Sequence, residues 1–249
     1  MGTVFIAVGA TEGNIGLADT LEGECFAGRT RDGLCRGMVR VAMDMWNAIG
    51  EERMRLADQL AGLDDEQWNC QSLCEQWRVR DVVAHVTAGA EGVYGIGVTL
   101  LGLARNGFSF NRWMSEDGQR RGRQDSTLIL AALRSAAGNR QKPPGAPTVS
   151  VLTDVLIHGQ DVCRPLGIHR ELSEEHLRLV ADFVKSTFVF GAKRRTAGVM
   201  LSATDMEWTH GVGPEVKGTG EALVMAMAGR RAAFDDLSGD GKEIFTSRF

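Results

Sequence analysis

The sequence holds a single tyrosine, and aromatic residues make up only 6% of it. Its five tryptophans stand out on that background and predict positions of special packing. Positive charge is not in surplus. Lys and Arg number 28 against 32 Asp and Glu, a formal net charge of −4, so no global positive field gathers DNA or RNA. Long apolar runs are also missing. The longest uncharged, mostly apolar stretch is Val93–Ala104, whereas a bilayer-spanning helix needs roughly 20 such residues. No membrane span is expected.

Cysteines are few, odd in number and scattered: Cys25, Cys35, Cys70, Cys74 and Cys163, with no CxxC pair. Such a set predicts reduced thiols rather than a disulfide framework. The first ten residues carry a short apolar stretch without the basic flank of a secretory signal. Both features predict a cytoplasmic protein.

With 249 residues, 43% hydrophobic and 24% charged, the chain has the balance of a soluble globular protein and enough length for a real core. Residues 1–37 contain eight glycines and no sustained helical period, which predicts a poorly ordered leader. Helical periodicity then starts. Met45, Ile49, Leu56, Leu60 and Leu63 form an apolar stripe on a charged helix, with steps of 4, 7, 4 and 3. A second helix is expected over Val79–Gly92, with an extension towards Arg105, and Phe108–Gly122 reads as irregular and polar. Asp125 or Ser126 caps a third helix, 127–136; Gly138–Pro147 is a loop; a fourth helix covers 148–164 and stops before Pro165. Ser173 opens a fifth. Beyond residue 193, short β-like pieces at 199–203, 206–210 and 214–217 precede a last helix over 221–237. The fold class expected is mainly α: a four-helix bundle over 38–192, then a small α+β domain over 193–249.

Three polar residues occupy positions on apolar faces. His85 lies on the Val82, Val86, Gly89 stripe. Asp154 and His158 are spaced i, i+4 on one helix, beside Val151, Val155 and Val162. Two imidazoles and a carboxylate from facing helices suit a divalent cation, and three protein ligands leave one position open, as in catalytic zinc sites. The same Asp-x-x-x-His spacing also serves a plain side-chain ion pair. His169, His176 and His210 are expected to face solvent, and Cys74 and Cys163 to fill core space.

The run Trp77-Arg78-Val79-Arg80-Asp81-Val82-Val83-Ala84-His85-Val86 resembles a segment of the mycothiol-dependent maleylpyruvate isomerase family, within the wider DinB/YfiT-like superfamily. Asp154–Asp161 followed by Arg164-Pro165-Leu166-Gly167 looks like its second signature. Ala203–Trp208, Gly213–Gly218, Gly229-Arg230 and Gly239–Gly241 are similar to its C-terminal domain. The resemblance covers about Met43 to Gly241. It implies a DinB-like up-down bundle holding one divalent metal, usually zinc, through residues that map to His85, Asp154 and His158. The characterised isomerase has Glu where this chain has Asp154, one methylene shorter.

The resemblance further implies mycothiol as co-substrate and a small electrophile as partner. A cation at sulfur strips the thiol proton; the thiolate then adds to an activated double bond and leaves again, or stays on the electrophile. The first outcome is cis–trans isomerisation, the second S-transfer. Arg230 is expected at the end of the last helix as a catalytic clamp for an anion, although the helix dipole alone favours Arg there. Asp161, one turn beyond His158, is expected to orient an imidazole or simply to sit at a helix end. Two other readings compete: a metal-binding bundle with a structural or regulatory role and no open cavity, and, last, a non-haem iron oxygenase built on the same ligand types. The chain is expected to act as a monomer or homodimer.

Overall fold

The computed structural model describes residues 32–249, with side chains from Met45 onward. Most of the expected leader thus lies outside the described residues, and the backbone of 32–37 is already helical. Helix α1 (Asp32–Leu60) buries Ile49, Leu56 and Leu60 as its stripe requires. A short α2 (Asp65–Asn69) follows. Its start is fixed by a capping box: Asp64 Oδ1 accepts from the Gln67 amide at 2.8 Å, and the Gln67 side chain accepts from the Asp64 amide at 3.0 Å.

Helices α3 (Val79–Ala90), α6 (Ser126–Ala136) and α7 (Thr148–Cys163) complete a four-helix bundle with α1. Both α6 and α7 pack on α1 and on α3, which closes the ring. At the head of α3, Asp81 accepts from the Arg78 amide at 2.9 Å. Asp125 caps α6 as expected, accepting from the Thr127 amide at 2.8 Å.

The segment between α3 and α6 differs from expectation. The chain turns at Gly92, and α4 (Ile96–Arg105) is a separate helix rather than an extension. Phe110–Arg121 is helix α5, capped by Ser109, not an irregular stretch. Its polar sequence hides the helix because only one narrow side, with Trp113 and Met114, is buried. Gly118 sits in that side because the Trp77 indole occupies the space a β-carbon would take.

After α8 (Glu174–Ser186) and the single turn α9 (Ala192–Arg195) comes a three-stranded sheet. Its strands are β1 (Met200–Ala203), β2 (Thr209–Gly211) and β3 (Glu215–Gly218), in the order β2-β1-β3. Leu201 pairs with His210 in the antiparallel partner and with Val216 in the parallel one. The last helix expected over 221–237 is split. Helix α10 (Gly220–Met227) ends at Gly229, whose φ of 95° a side-chain-bearing residue rarely adopts, and a 3-10 turn (Arg231–Asp236) follows. A final short α11 (Lys242–Thr246) closes the chain.

Two hydrophobic clusters fill the interior. One lies inside the bundle, around Leu56, Trp77, Val82 and Leu133. The other joins α7 and α8 to the sheet and α10, with Leu156, Val180, Leu201 and Leu223 in contact, so it crosses position 193. Among the described residues, no helix is long and apolar enough to cross a membrane.

Candidate metal centre and cavity

Helices α3 and α7 bring His85, Asp154 and His158 together. Both imidazoles are buried, and both turn Nε2 towards Asp154 Oδ1, at 3.8 Å from His85 and 3.5 Å from His158. Three such atoms, all within 4.8 Å of one another, have the spacing of ligands around one cation. Tetrahedral ligands at about 2.1 Å lie ~3.4 Å apart. Burial pushes the Asp154 carboxyl up, but His158, His85 and the Arg53 guanidinium outweigh it and hold the group below its ordinary value.

Each imidazole is held from behind. His158 Nδ1 lies 2.9 Å from Asp161 Oδ2. A carboxylate there keeps the proton on Nδ1 and leaves Nε2 with its lone pair facing Asp154. Asp161 is fully buried and is gripped by Arg230, with Nε donating to Oδ1 at 3.0 Å and Nη2 to Oδ2 at 2.7 Å. Despite its burial, this ion pair and His158 hold Asp161 far below the ordinary carboxylate range. His85 Nδ1 lies 3.4 Å from the hydroxyl of Tyr94, the sole tyrosine, which donates to Asp117 at 3.0 Å. Arg120 and Arg121, in the stretch expected to be irregular and polar, stand on α5 and both donate to Asp117.

Cys74 is more than filler. Its thiol donates to Asp161 Oδ2 at 3.1 Å and lies 3.8 Å from His158 Nδ1. Cys74, His158 and Asp161 thus make a second cluster of ligand-type atoms. It is the poorer cation site, because Arg230 already neutralises Asp161 and burial, together with Asp161, raises the thiol pKa well above its usual value.

Arg230 does not end a helix. It leaves Gly229 between α10 and the 3-10 turn and is buried, with Nη1 donating to the Ala228 carbonyl at 3.0 Å. Nη1 thus meets a carbonyl at the C-terminal end of α10, as the dipole favours, while Nε and Nη2 are committed to Asp161. His176, expected in solvent, meets the fully buried Glu52 at 3.1 Å, and Arg170 donates to the same carboxylate.

A half-enclosed cavity of about 430 Å³ opens onto His85 and Asp154. Its far wall comes from α4 and α5. Arg53 of α1 also lines it, almost fully buried, with Nη1 donating to the carbonyls of Ala137 and Asn139 at 3.2 and 2.9 Å. Burial lowers its pKa to about 10, with Asp154 acting against the shift. The sequence contained a signal for Arg53. The stripe Met45, Ile49, Leu56, Leu60 skips one turn with its step of seven, and the skipped position is 53.

With this geometry in view, comparison with known proteins is specific. Residues 49–163 match the family described as the mycothiol maleylpyruvate isomerase N-terminal domain, a span that includes all three converging residues. Two solved structures share the fold with a TM-score of 0.57 and 14% identity, covering 80% of this chain and 93% of theirs. They are the mycothiol-dependent maleylpyruvate isomerase and a histidine-to-alanine mutant of it. No curated protein matches the chain. The mainly helical bundle with a small C-terminal sheet is the fold of those structures.

Proposed function

We propose that the protein is a mycothiol-dependent enzyme, a cis–trans isomerase or an S-transferase, that binds a divalent metal through His85, Asp154 and His158. The observation that carries this reading is the convergence of the two Nε2 atoms on Asp154 Oδ1 at the floor of a cavity. A cation bound there, zinc by preference, supplies the Lewis acidity that ionises a thiol at neutral pH. Asp161 and Tyr94 hold the two rings with Nε2 inward. Arg230 is a positioning residue in this scheme, since it acts on the site through Asp161. The cavity holds the electrophile beside the sulfur. Addition of sulfur to a conjugated double bond, rotation and release give isomerisation; retention of the carbon–sulfur bond, with a proton equivalent to the one the thiol gave up added at the neighbouring carbon, gives S-transfer.

The cavity also supports this reading over a purely structural metal site, which has no use for a substrate-sized opening next to its ligands. Metal analysis of the purified protein, with mycothiol consumption measured against several electrophiles, tests the proposal. About one divalent ion per chain is expected in the wild type, and His158→Ala should lose most of it together with thiol-dependent turnover. Full occupancy in that variant would falsify the ligand assignment.

A further inference from the structure

The lining of the cavity is unlike a site for a small diacid. Apolar residues, Val86, Leu103, Phe110, Trp113, Met114 and Val151 among them, make most of its walls. A dianion entering it would lose its hydration with few charges to replace it. One cation stands in the wall, Arg53, and it is under-compensated. Among the described residues no carboxylate forms a salt bridge with it, its Nε is buried without a hydrogen-bond partner, and only Nη1 is bonded, to two carbonyls. The nearest balancing charge is Asp154, which the reading above commits to a metal. A buried guanidinium left in this state attracts one carboxylate from whatever fills the cavity.

Resting on that reading of the metal centre, we infer that the cavity is the electrophile's subsite. It takes a monocarboxylate with an apolar body, the carboxylate at Arg53 and the body against α4 and α5.

Binding is measured without turnover, by quenching of tryptophan fluorescence, since Trp113 stands in the wall. The probes are octanoate, its uncharged isostere octanamide, and maleate as the small dicarboxylate. The wild type should bind octanoate roughly tenfold or more tightly than either other probe, the ratio of one lost charge-assisted hydrogen bond. Arg53→Met should erase the difference between octanoate and octanamide, and Arg53→Lys should keep most of it. Gly89→Leu is a second arm that leaves the carbonyl contacts of Arg53 alone. Gly89 lines the cavity, and a β-carbon there meets nothing within 4 Å, so the variant should fold, fill the space and weaken octanoate about tenfold or more with metal content unchanged.

Equal binding of octanoate and octanamide by the wild type, or tighter binding of maleate, overturns the inference. Metal content and mycothiol consumption are read on the same preparations. If both are normal and selectivity is absent, only the substrate class fails. If octanoate selectivity persists in protein that binds no metal, the metal centre fails and the carboxylate subsite stands.

Discussion

Arg230 holds Asp161 in a two-pronged grip, Nε to one carboxylate oxygen at 3.0 Å and Nη2 to the other at 2.7 Å, and the second of those oxygens also faces His158 Nδ1 at 2.9 Å. One buried carboxylate thus ties the C-terminal segment to the back of the candidate metal centre. Removing the arginine strands that charge. Arg230→Met should lower unfolding free energy by about 3–5 kcal/mol, measured by urea denaturation, because an unpaired buried carboxylate is costly. The double variant with Asp161→Asn should lose less than the sum of the two single changes. Additive losses would show that the grip contributes nothing of its own.

Tyr94 supports the other imidazole through a single hydroxyl. Tyr94→Phe should leave the fold intact and weaken metal binding by roughly 10- to 100-fold, the usual effect of losing a group that orients a ligand. Competition with a chelator measures it; unchanged affinity would mean that His85 is oriented by packing against Trp77, 5.1 Å away between ring centroids.

Gly118→Ala places a better helix former in α5 but drives a methyl into the Trp77 indole. The propensity gain is about 1 kcal/mol and the overpacking cost about 1–3 kcal/mol. A lower thermal midpoint is therefore expected, with a shift in tryptophan emission. A raised midpoint would show that Trp77 moves freely.

Asp117 gives the pH dependence. Burial raises its carboxyl, but hydrogen bonds from Arg121, Arg120 and Tyr94 hold it below the ordinary value. A carboxyl depressed in the folded state contributes stability that is fully present above its unfolded pKa of about 3.9 and is lost as pH falls through the folded value. The stability difference between wild type and Asp117→Asn should accordingly be flat from about pH 7 to 5 and shrink below about pH 4. Denaturation series at each pH test this, and a difference that grows in acid would reverse the sign.

Much of the site could be read along the chain because helical periodicity is local. A spacing of four puts Asp154 and His158 on one face of α7 one turn apart, and the Val82 stripe turns His85 inward, whatever the rest of the chain does. The bundle, the Asp125 cap and the three strands follow from patterns of the same short range. Even Arg53 left a trace, as the missed step in the α1 stripe, although a gap in a stripe cannot say what the buried charge faces.

Tertiary packing decided the rest. Arg230 and Asp161 are 69 residues apart, and their pairing depends on how α10 packs on α8 and α8 in turn on α7. Helix α5 stayed hidden for the same reason: its polar sequence has no stripe, and its glycine breaks the helical pattern until Trp77 is seen filling the space beside it. The sequence determined which faces are apolar and which polar residues interrupt them, since those depend on bonds within a few turns. Which interruptions meet depends on contacts between distant segments, where burial makes an unpaired charge costly and so selects its partner.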